Sequence, residues 1–532
     1  MSSKRLKKIA LASVLALASP GIVAAQAGSV PLAGGVSLPT SSAVAALYSQ
    51  YSLKPIWFRN GVPTAAVTQL VQTLRRSPVD GLGSGPQLAD QIDAAVRQSA
   101  GDPAAISAAD QAISSAWVLY VQTLKRPTPG MIYAYDVLKP QGARADQILL
   151  AASAAPSLEA HVSSVSAVNP IYSAIRDAEW ARLQASGTLA PDPRVLANLE
   201  RVRSIPAKGR FVLVDAGSQR LFMYENGVPV DSMKVIVGSK KLPTPMIASV
   251  MYYITYNPYW NAPDHLVREA IAPKTLAGGR KYFDGMGYQV MADWTANSAT
   301  IPFESIDWKS VASGKTKLRV RQDPGPKNFM AQLKFPFPNP QDIYLHDTPA
   351  KAHFNDKNLA QSNGCVRLED AQRFGRWLLG REPVPPGTTP EIQVQVPRPV
   401  PVYITYITAQ PKGGQLTFLK DEYNWDRPGA AQVAEYVSPA ARAANEAFPP
   451  ALATASDMMA SSASPRGKPL SAQRRSIAFS ARATFGPASI PRSMSDPPPI
   501  GRRGLCHSAK DAATDGRPAR SSRSMAQSFP TK

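Results

Sequence analysis

Cys365 lies in "SNGCVR", 19 residues after His346 in "IYLHD", and it is one of only two cysteines in a chain of 532 residues. A thiol attacks as its thiolate, so it needs a base or a local positive field. Thiol and imidazole together are the minimum set for acyl transfer through a thioester. Gly364 lets the backbone bend close to a substrate. The amides of Asn363, Gly364 and Cys365 are candidate donors to the oxyanion that forms when a thiolate attacks a carbonyl. If Cys365 opens a strand, Arg367 shares its face and Val366 turns to the core, because side chains alternate with period two.

Bland alternatives stand beside each of these readings. Cys365 can be a small apolar core residue, His346 a hydrogen-bonded strand histidine, and Arg367 the partner of Glu369. His353, inside the connecting loop, competes with His346 as base. The argument for His346 is that it ends a β-rich run and is held in place by ladder hydrogen bonds. No second cysteine or close His/carboxylate set completes a metal site, so neither metal nor cofactor is expected.

The chain begins like an export signal. Lys4, Arg5, Lys7 and Lys8 precede an apolar run from Ile9 to about Ala18, and "GIVAAQAG" offers cleavage after Ala25 or Ala27. The run is too short to span a bilayer, so residues 1–27 read as a signal peptide and the destination as the periplasm. Cysteines in such a compartment normally pair. Cys506 lies in a tail of unfolded composition, so an unpaired Cys365 points to a nucleophile. The net charge of +21 is concentrated at the two ends, with fourteen Lys and Arg against five Asp and Glu from Ala441 on. The body is mildly basic, which suits an acidic polymer. No zinc-finger spacing, phosphate-binding loop or basic stripe with interleaved aromatics points to nucleic acid.

These residues need elements to position them. From Ser42 to about Ala185, "AAVTQLVQTLRRS", "LADQIDAAVRQS" and "AISSAWVLYVQTLKR" carry apolar residues at helical spacing. Residues 28–200 therefore read as a helical domain. Near Arg203 the pattern turns β-rich. Strands are expected at Phe211–Val214, Arg220–Tyr224 and Met233–Val237, with "ENG" as a turn, then at "SVMYYITYNPYW", "KLRVRQ", "DIYLHD", "EIQVQV" and "VPVYITYITAQ". "LEDAQRFGRWLLG" is the clear helix, with Ala371, Phe374, Trp377 and Leu378 on one face and Gly380 as its stop. The expectation is a mostly antiparallel β domain over 201–436. From about Val437, Ser, Ala, Pro and Arg dominate without apolar period, and residues 437–532 read as a disordered basic tail.

"YLHDTPAKAHF…SNGCVR" resembles the catalytic signature of the L,D-transpeptidases of YkuD type. "NLERVRSIP", "VIVG…PTP", "NPYWNAP", "RVRQDPGPKNFM" and "PVPVYITYITAQ" are similar, in this order, to landmarks of the large YcbB-like branch. "ALYSQYSLKPIWFRNG" resembles that branch's scaffold domain. The resemblance implies a YkuD-like β-sandwich with a lid over about 261–340, behind an α-helical scaffold. It implies acyl transfer on peptidoglycan stem peptides as donor and acceptor, giving 3→3 cross-links and a role in wall biogenesis and cell shape. Cys365 would be the nucleophile and His346 its base. Arg367, Ser362, Tyr344 and Trp260 would be substrate contacts. Two features depart from the pattern. Asn363 stands where many members have His, and no peptidoglycan-binding module is recognisable between Ala134 and Asn198. Water as acceptor would make the enzyme an L,D-carboxypeptidase, and a protein acceptor would make it an attachment or release enzyme. A non-catalytic wall-binding scaffold is the remaining reading, and the intact His346, Cys365 and Arg367 set argues against it.

Overall fold

The computed structural model describes residues 27–31, 37–295 and 298–430. The basic and apolar runs expected to form a signal peptide, and the expected tail from 437 on, lie outside the described residues.

The first domain is helical, as its apolar spacing predicts. Helices α1 (Ser42–Gln50), α2 (Ala65–Arg76), α3 (Gly85–Gln98), α4 (Pro103–Leu124), α5 (Ala145–Ser153), α6 (Leu158–Ala167), α7 (Pro170–Ser186) and α8 (Pro193–Val202) follow one another. Helix α2 buries Ala66, Val67, Leu70, Val71 and Leu74 along one stripe. Helix α4 starts where the Asp102 carboxylate accepts from the amides of Ala104 and Ala105. Helix α7 stops at Gly187 in the left-handed region. Inside α4, buried Asp110 accepts from Ile56 N at 3.0 Å, Trp57 N at 2.7 Å and the Tyr48 hydroxyl at 2.5 Å, which ties the segment before α2 to the bundle.

The second domain is built on one sheet. Its strands are β1 (Ile132–Tyr133), β2 (Phe211–Asp215), β3 (Arg220–Glu225), β4 (Val228–Gly238), β5 (Ile247–Tyr256), β10 (Leu333–Phe335), β11 (Leu345–His346), β12 (Ala360–Ser362), β13 (Val366–Leu368) and β14 (Ile392–Thr405). Strands β6 to β9 belong to an insertion described below. The order is β10-β11-β13-β4-β3-β2-β14-β5, and β10 also pairs with β5, so the sheet closes on itself. The expected β2–β3–β4 meander is present, turning at Asn226 and Gly227, both at positive φ.

The sheet is mostly antiparallel, as expected, but β11–β13, β12–β4, β14–β2 and β1–β5 are parallel pairs. The 19-residue connection from His346 is a crossover, which brings the chain back in the same direction. The two strands expected at "EIQVQV" and "VPVYITYITAQ" are one strand, β14. Its register against β5 shifts between Gln395 and Val400, where Pro397 and Pro399 have no N–H to donate to the ladder.

Between β5 and β10 the chain leaves the sheet. Strands β6 (Trp260–Ala262), β7 (Tyr288–Met291), β8 (Thr300–Ile301) and β9 (Arg319–Gln322) form an antiparallel sheet in the order β6-β9-β7-β8. Helices α9 (Ala272–Gly285) and α10 (Trp308–Ala312) cover it over a core that includes Val267, Phe283, Trp308 and Val320. The separately cored part thus spans 260–322. Strand β10, inside the range expected for a lid, belongs to the main sheet. Asn328 closes the base of the insertion by donating to the carbonyls of Pro258, Gln322 and Asp323.

Helix α11 (Ala371–Leu379) packs Ala371, Phe374 and Leu378 inward and ends at Gly380 at φ 68°, as expected. Trp377 is only partly buried, under the Arg210 guanidinium. The apolar core runs without a break from the helical domain into the sheet. Among the described residues, no helix is long and apolar enough to cross a membrane.

Candidate active site

The site is written into the pairing of three short strands. In the β11–β13 pair, Leu345 stands opposite Val366 and His346 opposite Arg367. The Val366 amide donates to Tyr344 O at 3.1 Å, which fixes this register. Leu345 and Val366 are fully buried, so by alternation Tyr344, His346, Cys365 and Arg367 lie on the other face. On the far side of β11, Lys334 of β10 is the partner of His346. Lys334, His346 and Arg367 therefore form a row across three strands, with the thiol one step before Arg367.

The His346 ring is oriented by its neighbour. Nδ1 lies 2.6 Å from Asp347 O. A carbonyl only accepts, so Nδ1 carries the proton and Nε2 the lone pair. Burial, the Arg367 charge, and Lys334 and Lys351 drive the imidazole down to about 3, against the opposing pull of the Asp347 carbonyl. Burial pushes the Cys365 thiol up, while hydrogen bonding from Tyr344 and the charge of Lys334 act the other way. The resting site thus holds a neutral thiol and, on the same face, a neutral imidazole with a free Nε2. The thiol is partly exposed and points to Asp342 O at 3.6 Å rather than to Nε2. Apo sites commonly show such loose geometry, and it tightens when substrate binds.

Gly364 is at φ 112°, and a Cβ there would meet the Ile343 side chain at 3.2 Å, so the turn before the thiol requires glycine. The Ser362 hydroxyl donates to Cys365 O at 2.6 Å and accepts from Gly364 N at 3.1 Å. Two expectations are corrected by these bonds. Ser362 is buried inside the turn and shapes it instead of facing a substrate. The Gly364 amide, expected to face an oxyanion, is already used. Among the described residues, the amides of Asn363 and Cys365 have no protein acceptor and remain as donors.

Arg367 does not pair with Glu369, whose carboxylate accepts instead from Lys234 N at 3.0 Å. Among the described residues neither Arg367 nor Lys334 makes an ion pair with a carboxylate. Burial lowers the Arg367 guanidinium from its usual value, the mark of a cation taken out of water without a partner. The Lys334 ammonium sits over the Tyr344 ring at 4.7 Å. Trp260 lies in the insertion, its ring tilted against that of Phe329 with centroids 4.6 Å apart. His353 is on the surface, with Nδ1 3.2 Å from Asp356. Lys351 holds the loop after His346 to the end of β13 through Asp347 Oδ1 at 2.8 Å, Leu368 O at 3.0 Å and Glu369 O at 2.9 Å.

Sequence reasoning missed Lys334, Lys351 and Thr244. Lys334 joins the site only through strand pairing, which no local pattern encodes. Thr244 was visible as part of the "PTP" landmark, but its bond to Gly364 O at 2.7 Å was not.

Comparison with known proteins agrees with this geometry. Residues 209–404 match the L,D-transpeptidase catalytic domain model of the YkuD family, and residues 42–178 match a scaffold domain model. A Haemophilus influenzae protein described as "Putative L,D-transpeptidase" is 27% identical over 394 residues, covering 72% of this chain and 78% of that one. Thiol, oriented imidazole and glycine turn all fall within residues 209–404, the part of the chain that matches the L,D-transpeptidase catalytic domain model of the YkuD family.

Proposed function

We propose that the protein is an exported enzyme of the periplasm that forms 3→3 cross-links between peptidoglycan stem peptides through a thioester on Cys365. His346 Nε2 takes the thiol proton as sulfur bonds to the carbonyl carbon of the third residue of a tetrapeptide stem. The Asn363 and Cys365 amides receive the oxyanion. The C–N bond then breaks, and the departing D-alanine amine takes the proton from the imidazolium. A side-chain amine on a second stem attacks the thioester, gives its proton to His346, and expels the thiolate, which takes that proton from the imidazolium to restore the neutral pair.

The observation that carries this reading is a thiol and an imidazole with a free Nε2 on one face of paired strands, a face that also holds two cations that pair with no carboxylate among the described residues. Free carboxylates on the stem suit Lys334 and Arg367, and the neutral resting pair suits general-base attack on an amide. The test is incubation of the purified protein with tetrapeptide muropeptides, followed by mass analysis. Cross-linked dimers with loss of D-alanine are expected. Tripeptides alone would assign water as the acceptor, and no conversion would overturn the reading.

A further inference from the structure

The catalytic turn is held from behind by a part of the chain that lies beyond the matched catalytic domain. After β14, residues 419–427 run back over the sheet. Their anchor is helix α8, between the two matched regions. Asp426 pairs with Arg201 at 2.8 Å, with both side chains buried, and accepts from the Thr408 hydroxyl at 2.7 Å. Arg201 also donates to Trp425 O at 2.9 Å. Asp421 folds the segment on itself by accepting from the amides of Trp425 and Asp426, each at 2.9 Å.

From this anchor Tyr423 reaches the site. Its ring is buried and stacked on Tyr406, with centroids 4.7 Å apart. Its hydroxyl donates to Gly238 O at 2.7 Å and accepts from Thr244 N at 3.4 Å. Thr244 completes the relay, because its hydroxyl accepts from Gly238 N at 2.8 Å and donates to Gly364 O at 2.7 Å. The loop between Gly238 and Thr244 is closed so tightly that a Cβ on Gly238 would lie 2.4 Å from Thr244 N. One phenol and one hydroxyl thus fix the carbonyl of the residue before the nucleophile. That peptide plane carries the Cys365 amide at its other end. Rotating it would move an oxyanion donor and the thiol together.

We infer that residues 419–427 form a strap that sets the catalytic turn, with Tyr423 and Thr244 as positioning residues that touch neither substrate nor the reacting atoms. The inference deepens the proposed thioester chemistry, but it concerns how the thiol is held and not which acceptor is used. A role confined to stability predicts loss of folded protein with normal kinetics in what remains. A positioning role predicts a slower chemical step in protein that is still folded.

The test uses full-length Thr244→Val, Thr244→Ser and Tyr423→Phe, with circular dichroism and thermal unfolding to identify folded samples. Carbapenem acylation of Cys365 is followed by intact mass, separating the limiting rate from the inhibition constant. In Thr244→Val and Tyr423→Phe the limiting rate should fall roughly 10- to 100-fold, the scale of a misplaced reacting group or oxyanion donor. The inhibition constant should stay near wild type, and Thr244→Ser should recover most of the rate. Wild-type limiting rates in folded Thr244→Val and Tyr423→Phe would overturn the inference. So would equal losses in Thr244→Val and Thr244→Ser. If the wild-type protein is not acylated at all, the thioester reading fails by itself. The pH midpoint of Cys365 alkylation by iodoacetamide, mapped to its peptide, then decides the strap. Loosening the turn should expose the thiol and move the midpoint down in Thr244→Val and Tyr423→Phe but not in Thr244→Ser. An unmoved midpoint in all three would overturn it.

Discussion

His346 Nδ1 faces the carbonyl of the very next residue, Asp347, at 2.6 Å. Because this acceptor is main chain, no side-chain substitution at position 347 removes it. The tautomer that leaves Nε2 basic is set by the path of the chain where β11 ends. The expected effects of altering the site follow from this arrangement.

Replacement of the nucleophile is the simplest case. Cys365→Ser should give no carbapenem adduct by intact mass, since a neutral hydroxyl beside a weakly basic imidazole is far less reactive than the thiol. An adduct at normal yield on this variant would remove Cys365 from the mechanism.

His346 and His353 should separate cleanly. Loss of a general base costs about 10²- to 10⁴-fold in rate, and His346→Ala should lose acylation on that scale. His353, exposed and engaged with Asp356, should tolerate alanine with less than about threefold change, well below the loss of a base. A dead His353→Ala with an active His346→Ala would reverse the assignment.

The pH dependence has a definite sign. Folded His346 titrates near 3, and an unfolded histidine near ~6.5. Between these values the unfolded chain binds a proton that the folded one does not. Stability from this group is therefore complete above about pH 6.5 and lost as pH falls toward 3, by at most about 1.4 kcal/mol per unit. Urea midpoints at pH 7.5, 5.5 and 4.0 should fall more steeply for wild type than for His346→Gln, and parallel curves would refute the assignment. The acylation rate should show no inflection near 6.5. It should keep rising past the ordinary thiol range, because burial holds Cys365 above its usual value.

Lys334 and Arg367 should act on binding. Charge-assisted hydrogen bonds are worth about 1.5–3 kcal/mol, so Lys334→Met and Arg367→Met should each raise KM for tetrapeptide stems roughly 10-fold or more. Amidating the stem carboxylates should cost wild type a similar factor and cost the variants little more. If the two losses simply add, cations and carboxylates do not meet.

The tail is the last case. A protein ending at Val437 keeps the strap and should turn over muropeptides at the rate of the full chain, since a segment of the tail's composition does not build a core of its own. A large loss of activity with intact folding would assign the tail a role.

The placement of the thiol, the imidazole and the turn was legible because they sit in local patterns. "LHD" ends an alternating run, "NGC" is a turn, and "CVR" alternates. Helix α11 was readable down to its glycine stop, because its spacing, cap and terminator all lie within ten or so residues. What was not legible depends on register between distant segments. The parallel direction of β11 and β13, the row from Lys334 through His346 to Arg367, and the closure of the sheet by β10 each join residues that share no sequence pattern. Ser362 was misplaced for a related reason. Its residue type suits a substrate contact and an internal turn bond equally well, and only its burial separates the two.

The insertion leaves and re-enters the main sheet at one point. Tyr256 of β5 and Leu333 of β10 are antiparallel partners, and Asn257 N donates to Gln332 O at 3.1 Å just beyond them. Topologically the insertion is the loop of a hairpin, and its own core meets the cost of its length. Such a module is portable. It can be exchanged for an insertion of different sequence, or cut back to a short turn, without altering the strands that carry Lys334, His346 and Arg367 or the turn that holds Cys365. Exchange of the insertion would therefore leave the register that sets Lys334, His346 and Arg367 in one row unchanged.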